Sequence, residues 1–390
     1  MGRHYERTHP WISFALDLRS LDHLTWMRLG EAVSKCEHIE GVPLRPAIAE
    51  DLNEIFLTKG VHATTQIEGN TLSEEQVRRR VRHDLPLPPS QEYLGREVDN
   101  IVEACNGVVE EVRSRVPLEI TPDRITRFNA LVLRDLPLNE GVRPGTTRQD
   151  SVLVGSDYRG APAEDCEYLL DRLCRWLTEM RSAADDRMRK PVAILSAIMA
   201  HLYLAWIHPF GDGNGRTARL MEFQILVQSG IPLPSAHLLS DFYNQTRSEY
   251  YRQLALSSRE PYRVERFIGY ALEGFVDGLR SQIDRIRAQQ MDVTWENYVH
   301  SAFHDRKTAA AHRQRLLALS LPPNTLTPLA DIPTLTPLLA AEYAGSTRKM
   351  VTRDVNTLWR MKLAIGNGAT GVLPLTQRIE AFRPLTADPT

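Results

Sequence analysis

Little in this chain can be cross-linked. Four cysteines (Cys36, Cys105, Cys166, Cys174) in 390 residues are too few for a disulfide scaffold, and the absence of any CxxC pair excludes a zinc ribbon. Reduced, mostly buried thiols in a cytoplasmic protein are the expectation. Excess charge of either sign is also missing: 47 Lys+Arg stand against 49 Asp+Glu, a formal net charge of -2. With no global basic footprint, nucleic-acid contact would have to come from a local patch. Long apolar runs are scarce. The longest, residues 192–207, is broken by Ser196 and His201 and falls short of the roughly 20 residues of a membrane span, so no membrane partner is expected. The opening residues MGRHYERTHPW hold no apolar leader core. Walker loops, HExxH and GxSxG are absent. The one GxGxxG, residues 366–371, runs into Val372, Leu373 and Pro374 rather than a helix, so it is not a dinucleotide loop.

What is present is ordinary for a globular protein: 42% hydrophobic and 25% charged residues, over a length that suggests two or three domains. Apolar residues recur at three- and four-residue spacings over 21–37, 47–65, 92–116 and 166–180, which predicts helices. Residues 191–206 open on Pro191 and are almost wholly apolar, as in a helix buried on most sides. Further helices are expected over 215–228, closed by Gly230, and over 264–288 and 295–319. Only two places look like strands: a hairpin from Ser151 through Val152, Leu153 and Val154 that turns at 155–157 and reopens at Tyr158, and a second around 363–375 turning at 366–368. Proline-rich stretches at 83–90 and 321–337 read as linkers, the second being the better domain boundary. The fold class is therefore mostly α.

The chemistry concentrates between two central helices, in Ile207-His208-Pro209-Phe210-Gly211-Asp212-Gly213-Asn214-Gly215-Arg216-Thr217-Ala218-Arg219. Pro209 stops the first helix. Gly211, Gly213 and Gly215 let the loop adopt left-handed geometry and turn backbone N–H groups inward as an anion nest, next to the N-terminus of the following helix. Arg216 and Arg219, three residues apart, share a helix face and suit a polyphosphate. Asp212 is a hard oxygen ligand suited to Mg²⁺, and His208 is the one group there able to accept a proton near neutral pH. Together they form a constellation for phosphoryl or nucleotidyl transfer.

This run resembles the signature of the Fic family, His-Pro-Phe-x-Asp/Glu-Gly-Asn-Gly-Arg-x-x-Arg, and matches every fixed position. The resemblance spans roughly residues 54–254. It implies a Fic-type helical bundle that binds ATP with Mg²⁺ and moves AMP onto a hydroxyl side chain of a target protein, itself included. On that reading His208 deprotonates the hydroxyl and Asp212 holds Mg²⁺. Gly211, Gly213, Asn214 and Gly215 cradle phosphates, and Arg219, supported by Arg216, pairs with the terminal phosphate. Residues 143–158 look like the family's flap, whose edge (Ser151, Val152, Leu153, Val154) would register a target segment by strand pairing. Asn244 and Tyr251 resemble a family segment near the base and ribose. His201, two turns before His208, reads as a packing histidine.

Thr64-Thr65-Gln66-Ile67-Glu68-Gly69 puts Thr64 and Glu68 on one helix face, with Gly69 permitting a left-handed stop. It resembles the Fic inhibitory motif, carried here ahead of the catalytic core. A carboxylate from Glu68 entering the nest would take Arg219 from the γ-phosphate and misplace the α-phosphate, so low basal activity is expected.

From residue 336 the pattern changes to helix, turn and basic helix (Arg348, Lys349, Arg353, Arg360, Lys362) followed by a hairpin, which suggests a C-terminal winged-helix domain. Packing or a homodimer ranks above sequence-specific DNA binding as its use. The expected domains are 1–110, an N-terminal helical region with the inhibitory helix; 111–290, the catalytic core; and 291–390, a linker helix and the winged-helix-like domain. Two rival functions remain at this stage: removal of AMP or transfer of another phospho-group at the same site, and an ATP-sensing winged-helix transcriptional regulator.

Overall fold

The computed structural model describes residues 2–116, 118–154, 158–367 and 371–379. Contacts divide the chain into two compact units, Met1–Ile283 and Asp284–Thr390.

The first unit is helical. Its elements are α1 (His4–Thr8), α2 (His23–Gly41), α3 (Pro46–Ile67), α4 (Glu74–Val81), α5 (Glu92–Arg113), α6 (Pro122–Val132), the strands β1 (Leu153–Val154) and β2 (Tyr158–Arg159), then α7 (Cys166–Ser182), α8 (Arg189–Ile207), α9 (Asn214–Gln228), α10 (Leu238–Gln245), α11 (Arg247–Ser257) and α12 (Val264–Ala302). The residue pattern explains the centre. From Ala193 to Ile207 every residue of α8 except Ala205 is buried, and in α9 only Gly215 and Gln228 escape burial. These two helices pack against each other, with α7 on α8, and α5 and α6 on α9. On length and composition α8 could cross a membrane, but it is the buried core helix of this unit. Burying α9 also buries Arg216, Arg219, Glu222 and Gln224, so each needs partners in the interior.

The helix α3 begins with Pro46 in its first turn and packs against α10. It ends where Gly69, at φ +103°, takes a conformation other residues avoid. The expected hairpin exists but is short: Leu153 pairs with Arg159 and Val154 with Tyr158. Its turn at 155–157 lies outside the described residues. It is tied to the end of α8, where the Tyr158 hydroxyl donates to the Trp206 carbonyl at 2.7 Å and the Ala161 N–H donates to Ile207 at 3.2 Å.

Three differences from the sequence reading have local causes. The helices expected over 264–288 and 295–319 are redrawn: α12 runs unbroken for 39 residues, because 289–294 contain neither glycine nor proline. The break falls instead at 303–308, where Thr308 caps the next helix. The helices α4 and α6 were not anticipated, although each carries a side-chain cap, from Ser73 with a capping box and from Thr121. Residue 110, the expected first boundary, falls inside α5 within the first unit.

The second unit holds the end of α12, then α13 (Ala309–Ser320), α14 (Pro337–Glu342), α15 (Arg348–Arg360), β3 (Ala364–Asn367) and β4 (Gly371–Pro374). The strands β3 and β4 pair antiparallel, and Thr327 bridges to Val372 as a third partner. The turn at 368–370 lies outside the described residues. A separate core of Trp295, Val299, Phe303, Leu317, Leu339, Val351, Val355, Leu358 and Val372 holds the unit together.

Candidate active site

Pro209 ends α8 one residue after His208, which closes the helix in the left-handed conformation (φ 49°, ψ 59°). A β-carbon in that conformation costs energy, so something must hold it. Arg148 does so: its Nε donates to the His208 carbonyl at 2.8 Å and its Nη1 to the Asp150 carbonyl at 2.6 Å, while Nη2 donates to Ala161. The Arg148 N–H adds a bond to the Pro209 carbonyl at 2.9 Å. The imidazole is half-buried. Burial pushes its pKa down to about 4, with Arg148 acting in the same direction and Glu68 and Asp212 opposing. It is therefore neutral at pH 7, with a lone pair free to take a proton.

The loop after His208 is braced from inside. Asn214 accepts from the Phe210 N–H at 2.9 Å and donates to the Phe210 carbonyl at 2.8 Å. Asn129 on α6 donates to the Asp212 carbonyl at 2.9 Å and accepts from the Gly145 N–H at 3.0 Å. Gly213, at φ +74°, then starts α9, whose first-turn N–H groups on Asn214, Gly215 and Arg216 have no intrahelical partner. This is an anion site by geometry. Asp212 Oδ1 accepts from the Gly213 N–H at 2.5 Å and from Arg216 Nη2 at 3.1 Å. Its Oδ2 has no partner among the described residues. Arg216 is itself held from the other side by Glu97, Nη1 to Oε1 at 2.9 Å.

Glu68 closes the arrangement. Its Oε1 lies 2.5 Å from Arg219 Nη2, and Arg219 also donates from Nε to the Thr64 hydroxyl at 2.7 Å and from Nη2 to the Thr64 carbonyl at 3.0 Å. A β-carbon on Gly215 would collide with Glu68 Oε1, so the carboxylate lies directly on the first turn of α9. Burial alone would raise its pKa, but the Arg219 and Arg216 guanidiniums outweigh burial and hold it below the usual range. Arg219 Nη1 is buried and has no partner among the described residues, a donor in want of an anion.

The structure brings together His208, Gly211, Asp212, Gly213, Asn214, Gly215, Arg216, Arg219, Thr64, Glu68 and Gly69. Asn214 contributes its backbone only, because Phe210 holds both of its side-chain polar atoms. Arg216 reaches Asp212 and Glu97, and so acts on the loop carboxylate. Asn244 donates to Gln66 Oε1 at 2.6 Å, a bond to α3. Tyr251 is exposed. His201 is a packing histidine, bonded through Nε2 to the Tyr250 hydroxyl at 2.9 Å. Ser151, Val152, Leu153 and Val154 lie on the hairpin edge, with Leu153 exposed. Glu97 and Asn129 carry no signal in the sequence, while Arg148, within the flap residues 143–158, and Asn70, next to Gly69, were given no role there. Asn70 bonds Glu97 Oε2 at 2.8 Å and so links the turn after α3 to the Glu97–Arg216–Asp212 chain. Glu97 and Asn129 sit on helices and Asn70 and Arg148 in loops, and none of them adds a periodic signal, so only the geometry exposes them.

Among the described residues no group of three or more His, Cys, Asp or Glu side chains could hold a metal on its own. A Mg²⁺ bound with a nucleotide needs no such group, since one or two carboxylates plus substrate phosphates suffice. Asp212, with one free oxygen beside the nest, fits that role.

Comparison with known proteins agrees with this geometry. Residues 119–226 match the family model of the Fic/DOC family. The chain is 32% identical over 258 residues to the protein adenylyltransferase fic-1 of Caenorhabditis briggsae, covering 65% of this chain and 45% of that protein. It is 31% identical over 226 residues to the protein adenylyltransferase Fic of Drosophila ananassae, covering 56% of this chain and 40% of that protein. The chain thus spans less than half the length of these curated relatives. Two solved structures share the fold. One is a Fic family protein from Desulfovibrio desulfuricans G20, with a TM-score of 0.54 at 19% identity over 89% of this chain and 92% of that one. The other is Fic-1 from C. elegans, with a TM-score of 0.54 at 23% identity over 72% of this chain and 76% of that one. Residues 119–226, the stretch that matches the Fic/DOC family model, hold the loop that joins α8 to α9.

Proposed function

We propose that this protein transfers AMP from ATP to a hydroxyl side chain of a target protein and that Glu68 restrains it. The observation that carries the reading is the nest itself: the first turn of α9 and a buried, partly unpaired Arg219 form a polyphosphate site directly after the neutral His208. ATP would lay its phosphates on the N–H groups of Asn214, Gly215 and Arg216, with Arg219 on the terminal phosphate. Mg²⁺ on Asp212 would neutralise phosphate charge. His208 would take the proton of the target hydroxyl as its oxygen bonds to the α-phosphorus. The bond from that phosphorus to the bridging oxygen breaks, and pyrophosphate leaves.

Glu68 competes for the same Arg219, so the γ-phosphate would lose its clamp. A misplacement of about 1 Å at the α-phosphate can cost roughly a hundredfold in rate. The curated relatives are named protein adenylyltransferases, which supports this reaction over AMP removal. Four buried, unpaired cysteines support a cytoplasmic setting. The second unit, with its helix, turn, helix and antiparallel pair, supports a winged-helix module.

Labelling with α-³²P-ATP and Mg²⁺ tests the reading. Glu68→Gly should label itself or added protein well above wild type, and His208→Ala in that background should abolish the label. No label in Glu68→Gly, or a label that survives His208→Ala, overturns it.

A further inference from the structure

We propose that the exposed face of α15 binds duplex DNA. The proposal rests on the winged-helix reading of the second unit and is independent of AMP transfer at His208. The helix buries Val351, Asp354, Val355 and Leu358 against its own core. Its opposite face presents Arg348, Lys349, Arg353, Asn356 and Arg360 to solvent. Every exposed charge on α15 is positive. Its one carboxylate, Asp354, is turned inward, where it accepts from Arg313 Nε at 2.7 Å, Gln314 Nε2 at 2.8 Å and the Tyr343 hydroxyl at 3.1 Å. None of Arg348, Lys349, Arg353 and Arg360 has a carboxylate partner among the described residues. Residues 284–390 as a whole hold 13 Lys+Arg against 9 Asp+Glu, although the complete chain is slightly acidic.

The spacing favours a nucleic-acid groove. Lys349, Arg353, Asn356 and Arg360 recur at four, three and four residues, so they form one stripe roughly 17 Å long at about 1.5 Å rise per residue. That stripe fits along the floor of a major groove roughly 12 Å wide. A protein-docking face would place apolar residues at its centre and deplete charge there. Here the centre is Arg353 and Asn356, side chains that read guanine and adenine edges, and Trp359 is the one large apolar group, at the far end. The turn before α15 contains Gly345 at φ +70°, which sets the two helices apart as a reading helix requires.

The test uses the full-length protein and a fluorescein-labelled random-sequence duplex of about three helical turns, read by anisotropy. Wild type should bind, and with about three phosphate contacts its affinity should fall on the order of fortyfold between 50 and 200 mM NaCl. The triple variant Lys349→Ala, Arg353→Ala, Arg360→Ala should bind at least tenfold more weakly with a shallower salt dependence, while His208→Ala binds like wild type. Should the triple variant fail to fold, Arg353→Ala alone should lower the salt slope by about one. Absence of binding at 50 mM NaCl, or binding that none of these variants weakens, overturns the proposal. Tighter binding to poly-glutamate than to the duplex overturns it too, and assigns the face to an acidic protein.

Discussion

Glu68 and Arg219 meet at 2.5 Å, and the same guanidinium is anchored twice more on Thr64, four residues earlier on the same helix. The proposed restraint is thus one helix face gripping one arginine. Because Arg219 and Arg216 keep the Glu68 carboxyl below its usual pKa, the pair stays ionised throughout the neutral range. Glu68→Gln keeps the shape and removes the charge. A charge-assisted bond lost against a triphosphate competitor is worth about 1.5–3 kcal/mol, so initial rates of AMP incorporation should rise at least tenfold. Glu68→Gly should raise them further. Equal rates in wild type and Glu68→Gln would mean that the ion pair is not what limits turnover.

The pH profile should report His208. A histidine with its pKa lowered to about 4 stays neutral, and competent as a base, until the pH falls through that value. Glu68 favours the charged imidazole, so its removal lowers the pKa further. In Glu68→Gly, kcat/KM for AMP transfer should stay level from pH 8 down to about pH 5 and drop only below that. A half-maximal point near 6.5, the ordinary histidine value, would contradict the buried setting.

Arg148 should matter to catalysis without touching nucleotide. It fixes the left-handed turn at His208 through carbonyls on three segments. Arg148→Ala leaves those acceptors buried and unpaired, at about 1–3 kcal/mol of stability. It should also cut kcat on the order of a hundredfold, with the KM for ATP nearly unchanged, since the nest on α9 does not depend on it. A change confined to KM would place Arg148 in binding instead.

Glu97 predicts a metal effect. It holds Arg216 at 2.9 Å, and Arg216 in turn holds Asp212 at 3.1 Å. Burial raises the Glu97 pKa against the pull of Arg216. In the Glu68→Gly background, Glu97→Gln should shift the Mg²⁺ concentration for half-maximal transfer upward roughly tenfold, and chelation by EDTA should stop transfer in both forms. An unshifted Mg²⁺ titration would show that Arg216 positions Asp212 unaided.

The candidate loop was legible because it is contiguous: four residues, 210–213, between a proline stop and a helix start announce both the turn and the nest. The Thr64–Glu68 face was legible for the same reason, as a four-residue spacing on one helix. The supports were not, since Arg148, Glu97 and Asn129 come from three other segments and meet only in three dimensions. Asn214 and Asn244 show the opposite limit. Their side chains turn to Phe210 and Gln66, a choice that hydrogen-bond geometry makes and spacing cannot. The unbroken α12 follows likewise from what is missing: a polar stretch without glycine or proline does not end a helix that packing sustains.

Behind Arg219 lies a buried acid that gives the last prediction. Glu222 is fully enclosed, accepts from the Tyr243 hydroxyl at 3.0 Å, and lies 3.6 Å from His201 Nδ1. Burial raises its pKa to about 8, opposed by Tyr243 and Arg219, while burial holds His201 well below its ordinary value. A carboxyl whose folded pKa lies above its unfolded value retains its proton longer in the native state. Its contribution is therefore fully present below about pH 4.5 and is lost as the pH rises toward 8. Glu222→Gln removes that titration and keeps an acceptor for Tyr243. The two proteins should unfold at similar temperatures at pH 5, and the variant should become the more stable one by pH 8, by on the order of 3 kcal/mol. The depressed His201 acts in the opposite sense and in both proteins, so it cancels in the difference. Parallel pH profiles of the unfolding midpoint would show that Glu222 is ionised throughout.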